Sequence, residues 1–152
     1  MSFNTPNGTR GARQPSAGWL FRTLNGMMMS RIRRKDGKTM GMDALVLSTV
    51  GAKSGQPRSS PLAYFAEDGQ NWLIVASAAG APRNPAWYYN LAAHPDRVRI
   101  EIGDRTVEVV ATQLHGEDRD RAWQRITAAS KQFGKYQDKT DREIPIIRLT
   151  AR

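Results

Sequence analysis

The chain has 152 residues, of which 39% are hydrophobic and 24% charged. That is the size and balance of one globular domain, and it excludes a mainly disordered chain, a collagen-like one, and a membrane span of about 20 apolar residues. The absence of cysteine excludes disulfides, thiolate catalysis and Cys-based metal sites, two histidines (His94, His115) argue against a His-held metal while leaving carboxylate sites for hard cations open, and a net charge of +9 points to an anionic partner.

In chain order, residues 1–15 are polar, rich in Gly, Pro and Asn and without periodicity, and are expected to form a flexible tail. Residues 16–152 are expected to form a single domain. It opens on a helix over residues 16–35: Trp19, Leu20, Leu24, Met27, Met28 and Ile32 share a face, Ser16 suits the N-cap, and Arg31, Arg33, Arg34 and Lys35 suit the C-terminal end of the dipole. The apolar face of this basic amphipathic helix serves equally to cover the core or to rest on a membrane surface. Much of the charge excess lies here, since residues 1–50 hold eight basic and two acidic side chains. With no apolar signal region near Met1, the expected compartment is the cytoplasm, with the helix on the inner face of the cell membrane.

Beyond the helix the hydrophobic period changes from 3.6 to 2. Six strands are predicted: Ala44 to Val50, Pro61 to Ala66, Trp72 to Ser77, Arg97 to Ile102, Arg105 to Ala111 and Ile146 to Thr150. Glu67-Asp68-Gly69-Gln70 and Gly103-Asp104 are hairpin connections, so the pairing is mainly antiparallel. Asn84 to His94 reads as a short helix capped by Asn84 with Pro85 in its first turn, and Glu117 to Ser130 as a longer one with Ala122, Trp123, Ile126 and Ala129 on one stripe. Six strands with flanking helices and no strand-helix-strand rhythm make an α+β, mainly β fold: a small closed or nearly closed barrel.

Three stretches carry chemistry. Ser48 to Pro61 places Gly51, Lys53, Ser54, Gly55, Gln56 and Arg58 directly after a strand, the ingredients of a phosphate cradle in an order that matches neither a P-loop nor a dinucleotide fingerprint. Taken alone, such a turn is also an ordinary exposed loop. Val75 to Asn90 combines the small residues Ala78, Ala79 and Gly80 with Arg83, a helix N-terminus, and Trp87, Tyr88 and Tyr89, which suit either a planar ring or plain core. Phe133 to Pro145 sets Tyr136 among polar neighbours, where a phenol donates a proton or simply packs.

Read together, G-x-K-S-G-Q-P-R at Gly51 to Arg58, S-x-x-G-x-x-x-N-P-x-W-Y-x-N at Ser77 to Asn90, His94-Pro95, and Y-Q-x-K-T-D-R-E-I-P at Tyr136 to Pro145 closely resemble the deazaflavin-dependent nitroreductase family, quinone and nitro-group reductases that use coenzyme F420. The resemblance runs from about Trp19 to Leu149. It implies a split β-barrel related to flavin-mononucleotide-binding barrels, and a reduced cofactor, F420H2, whose phosphate and glutamate tail matches the positive charge. It places Lys53, Ser54, Gln56 and Arg58 on the tail, Ser60 and Pro61 beside the ring, and Ser77, Gly80, Asn84, Trp87 and Tyr88 on the second cofactor-lining motif. Tyr136, with Ser77, is implied to face the acceptor. Ala78 stands where some relatives carry lysine, with Arg83 as a replacement cation, and Phe133 where relatives active on bulky nitroaromatics have tyrosine. The implied reaction is hydride transfer to a quinone-like, nitro or enone acceptor collected at the membrane by residues 16–35. Rival readings are a flavin-mononucleotide enzyme on the same barrel and, less well matched because its cations are not interleaved with aromatics, a nucleic-acid binder.

Overall fold

Alternation of apolar residues along several short segments produces a single curled antiparallel sheet. The structure, a computed structural model, describes residues 3–12, 38–39 and 42–152. The helix expected over residues 16–35 and the ends of the expected tail lie outside the described residues.

The strands are β1 (Lys38–Thr39), β2 (Met42–Val50), β3 (Pro57–Ala63), β4 (Phe65–Glu67), β5 (Asn71–Val75), β6 (Val98–Ile102), β7 (Arg105–Gln113) and β8 (Ile146–Ala151). They pair in the order β1-β2-β6-β7-β8-β5-β4, with β3 also on β2. Only Tyr64 separates β3 from β4, yet these strands pair with opposite ends of the path. The sheet therefore curls until its ends are joined by the chain itself, as a split barrel requires.

Both predicted hairpins form: β4 pairs with β5 around the Gly69 turn, and Ile102 pairs with Arg105 around Gly103. The strand expected over Pro61 to Ala66 instead starts at Pro57 and breaks at Tyr64, so Arg58, Ser60 and Pro61 belong to a strand and only residues 51–56 form the loop.

Residues pointing to one side of the sheet fill the barrel. Leu45, Leu47, Ile74, Ile100, Val109, Ile147 and Leu149 are fully buried there. Helix α1 (Ala86–Ala93) closes the barrel with Trp87, Tyr88 and Leu91. On the other side of β5 and β8, Leu73, Val75 and Ile146 pack against Ala122 and Ile126 of α2 (Gly116–Ala129) and Phe133 of α3 (Lys131–Lys139). Helix α3 was not expected, because Gly134 and the surrounding charges mask its period. Phe133 and Tyr136, one turn apart on the same cluster, organise it.

One local expectation is corrected. Helix α1 has Pro85, not Asn84, at its N-cap position, and no side chain caps it. The Asn84 amide is committed elsewhere: its Nδ2 donates to the Thr5 carbonyl at 3.1 Å and its Oδ1 accepts from Arg142 Nη1 at 2.6 Å.

Residues 3–12, read from composition as flexible tail, lie extended against the barrel. Gly8 N donates to the Pro82 carbonyl, Ala12 N to the Gly80 carbonyl, and the Thr140 hydroxyl to the Arg10 carbonyl. Phe3 meets Tyr88 edge to face at 5.5 Å. Composition misses this strap because its partners lie far along the chain, up to 132 residues away.

Asp141 anchors the strap. Its carboxylate accepts from the Thr9 hydroxyl, from Thr9 N at 2.7 Å and from Arg10 N at 3.2 Å, and these bonds, the hydroxyl's first, hold its pKa at about 2, below the ordinary 3.8. A depressed carboxyl pKa favours the docked strap above pH 3.8, and this contribution is lost as pH falls through about 2. The Thr9 and Arg10 amide resonances are therefore expected to titrate with a midpoint near 2; a midpoint at 3.8 would show a carboxylate free of the strap.

Candidate functional site

Local chain geometry first creates a tight turn. Between β2 and β3, Gly51 N donates to the Gln56 carbonyl at 2.8 Å and Gly55 N to the Gly51 carbonyl at 3.0 Å. Within the turn Ser54 Oγ accepts from Gln56 N at 3.2 Å and from Arg58 Nη2 at 3.4 Å. A side chain at position 51 would put its Cβ 2.5 Å from Ser54 Oγ, so glycine is what lets the hydroxyl fold back over the turn.

A helix residue then fixes the turn in space. Asn90 of α1 accepts from Ala52 N at 2.9 Å through Oδ1 and donates through Nδ2 to Thr49 Oγ1 at 3.1 Å. Asn90 is buried, so an alanine there strands a backbone donor and a hydroxyl. Asn90→Ala is expected to cost about 2 kcal/mol in urea denaturation and to weaken binding of an anion at the turn by about fivefold.

Between this turn, β3 and α1 lies a cavity of about 720 Å³. Lys53, Ser54, Arg58, Ser59 and Ser60 form one wall; Arg83, Ala86, Trp87, Tyr89 and Asn90 form the other, with Gly51 and Ala52 between. Three of the twelve lining residues are cations and none is acidic. Pairing of Arg58 with Thr49 and of Ser60 with Leu47 puts both side chains on the sheet face that α1 packs against. The volume suits a ring-sized ligand, and the cations at the turn suit its anionic portion.

Six of the residues expected to bind the cofactor line this cavity: Lys53, Ser54, Arg58, Ser60, Arg83 and Trp87. The others lie elsewhere. Gln56 closes the turn through its backbone, and Pro61 continues β3 opposite Val46. Tyr88 is buried, its hydroxyl donating to Gln113 Oε1 at 2.6 Å and accepting from Thr5 N. Asn84 is buried on Arg142.

Ser77 and Gly80 lie outside this cavity's lining, and of the two it is Gly80 that lies against the Tyr136 backbone. After Ser77 the backbone makes a left-handed turn, Ala78, Ala79 and Gly80 having φ of 47°, 55° and 81°. A Cβ on Gly80 would lie 2.6 Å from the Tyr136 carbonyl oxygen, so the turn abuts α3. Tyr136 itself packs edge to face on Phe133 at 6.0 Å and receives Lys139 Nζ over its ring at 5.9 Å.

Tyr89, read with Trp87 and Tyr88 as suited to a planar ring, lines the cavity, and so do Asn90 and Ser59, which were not named as site residues. Asn90 left a legible signal, a carboxamide inside the otherwise apolar helix AWYYNLAA, where a polar residue needs a buried partner. Ser59 left none.

A family model described as F420H(2)-dependent quinone reductase matches residues 20–151. Over 112 residues the chain is 45% identical to an F420H(2)-dependent quinone reductase of Mycobacterium tuberculosis, covering 72% of this chain and 74% of that protein. Among solved structures, one described as an F420-H2 dependent reductase superposes with a TM-score of 0.63 at 37% identity, covering 70% of this chain and 92% of the other. A pyridoxamine 5'-phosphate oxidase-like protein of Listeria innocua, at a TM-score of 0.51, 13% identity and coverages of 85% and 94%, shares the fold alone.

Proposed function

This chain belongs to the F420H(2)-dependent quinone reductase family, and from that premise we propose that the cavity between the 51–56 turn and α1 holds the deazaflavin cofactor for reduction of a quinone-like acceptor. The protein is an oxidoreductase that uses reduced coenzyme F420. The observation that carries the site reading is the donor set: Lys53, Arg58 and Arg83 converge on a cavity with no acidic lining residue. That chemistry fits a phosphate- and carboxylate-bearing cofactor.

When bound, F420H2 supplies a hydride for the acceptor. Lys53 and Arg58 neutralise the anionic tail, Ser54 donates to it from the folded turn, and Arg83 provides the cation opposite. Trp87 and Tyr89 form an aromatic wall against which the ring would lie, and Ser60 of β3 would border it. Asn90 holds the turn at a fixed distance from that wall, which is the positioning such a two-substrate reaction depends on. Tyr136 and Ser77 meet the acceptor on the α3 side and deliver the proton that accompanies hydride addition. The contact of the 78–80 turn with α3 supports that grouping.

Among the described residues no helix is long and apolar enough to cross a membrane. We propose peripheral collection of a lipid-soluble quinone through the basic amphipathic segment 16–35. Spectrophotometric oxidation of F420H2 by a quinone, in buffer and in anionic or neutral vesicles, tests both levels. Turnover stimulated by anionic vesicles is the expected result. Turnover without vesicle dependence would remove the membrane step, nitroaromatic reduction without quinone reduction would replace the acceptor, and no oxidation at all would overturn the reading.

A further inference from the structure

Arg142 is 2% exposed, among the largest side chains of the chain that are fully buried. A guanidinium in that position normally has a carboxylate beside it, because burying an unpaired charge is costly. Among the described residues every hydrogen-bond partner of the guanidinium is neutral. Nε donates to the Ala81 carbonyl at 3.1 Å, Nη1 to the Ala76 carbonyl at 2.9 Å and to Asn84 Oδ1 at 2.6 Å, and Nη2 to the Ser77 carbonyl at 2.8 Å.

The neighbouring acids are engaged by other residues. Asp141 is engaged by Thr9 and Arg10 of the strap, and Glu143 faces Arg119 at 3.5 Å. Among the described residues no carboxylate forms an ion pair with Arg142. Its bonds hold the segment 76–84, which contains Arg83 and leads directly into Ala86 and Trp87, all three of which line the cavity. The side chain is thus a clamp for one wall and also a fixed, uncompensated positive charge behind it.

We propose that Arg142 is a positioning residue of the cofactor cavity whose unneutralised buried charge selects for an anionic ligand in front of it. A purely mechanical clamp could use a neutral donor set. A retained cation in low dielectric acts over a longer range than the exposed Lys53 and Arg58, because water and salt screen it less. The inference rests on the reading of the cavity as the cofactor site.

The test compares two probes on the intact protein by fluorescence titration: oxidised F420, and the deazaflavin riboside that lacks the phosphate and glutamate tail. Thermal melts confirm that each variant folds. Arg142→Met is expected to weaken F420 binding about tenfold while leaving riboside binding within about twofold, and Arg142→Lys to restore most of the difference. Equal loss of both probes, or loss of neither, would overturn the proposal.

If Arg142→Met does not fold, Asn84→Asp decides. It places a carboxylate on the same guanidinium and neutralises it in place. Asn84→Ser controls for the lost bond to Thr5. F420 affinity lower in the aspartate than in the serine variant, with riboside affinity equal in both, supports the charge; equal F420 affinity refutes it. Wild-type protein that binds neither probe would instead sink the cavity reading itself.

Discussion

Replacing Lys53 and Arg58 together by alanine is expected to weaken binding of oxidised F420 by about 100-fold, with thermal stability unchanged. Each cation removes a charge-assisted contact worth about 1.5–3 kcal/mol when well ordered, and exposure of both side chains reduces that to about 1.4 kcal/mol apiece, or tenfold each. Stability is spared because neither residue is buried, and among the described residues Arg58 bonds only to the Pro57 carbonyl and Ser54 Oγ. The wild-type affinity should fall with added salt and that of the double variant should fall less. Fluorescence titration beside flavin mononucleotide separates the alternatives. Equal binding by variant and wild type would return the 51–56 turn to an ordinary hairpin loop, whereas preference for the flavin would contradict the cofactor.

The largest expected effect on stability comes from a residue with no side chain. Gly80→Ala is expected to destabilise the protein by about 3 kcal/mol, a drop of about 10 °C in Tm. Two costs combine. Gly80 has φ of 81°, where a Cβ is strained, and it is the third consecutive left-handed residue after Ala78 and Ala79, which already carry that strain. The new Cβ would also lie 2.6 Å from the Tyr136 carbonyl and 3.0 Å from Lys139 Cβ. Neither neighbour is a flexible side-chain end, so α3 or the turn must move. The Gly80 carbonyl accepts from Ala12 N, so the strap should loosen with it. Denaturant unfolding and the Thr9 and Arg10 amide resonances report the two effects. An undisturbed Tm would show that the turn accommodates a side chain after all.

Glycine at this position illustrates where sequence reading stops. Gly80 was legible as an important residue within S-x-x-G, and the resemblance implied a cofactor contact. Its place under α3 depends on a helix whose period is hidden in KQFGKYQDK and on the left-handed path from Ser77. Likewise Asn84-Pro85 carries the ordinary signature of a helix start, yet the carboxamide serves Thr5 and Arg142, partners 79 and 58 residues away.

The sequence by itself determined the period-2 segments, the two hairpin turns, the mainly β class and the family, because each is encoded in residues close together along the chain. It also determined the chemistry of the cavity's first wall, since Gly51, Lys53, Ser54 and Arg58 fall within eight positions. Tertiary structure alone decided that Arg83 and Trp87 face that wall, that Asn90 ties it to α1, that residues 3–12 strap the barrel, and that Arg142 is buried with no acid paired to it among the described residues. Those facts depend on closure of a sheet whose terminal strands β3 and β4 are neighbours in sequence but lie at opposite ends of the pairing order. Closure follows from burying apolar surface over the whole chain, so no local pattern of residue types records it.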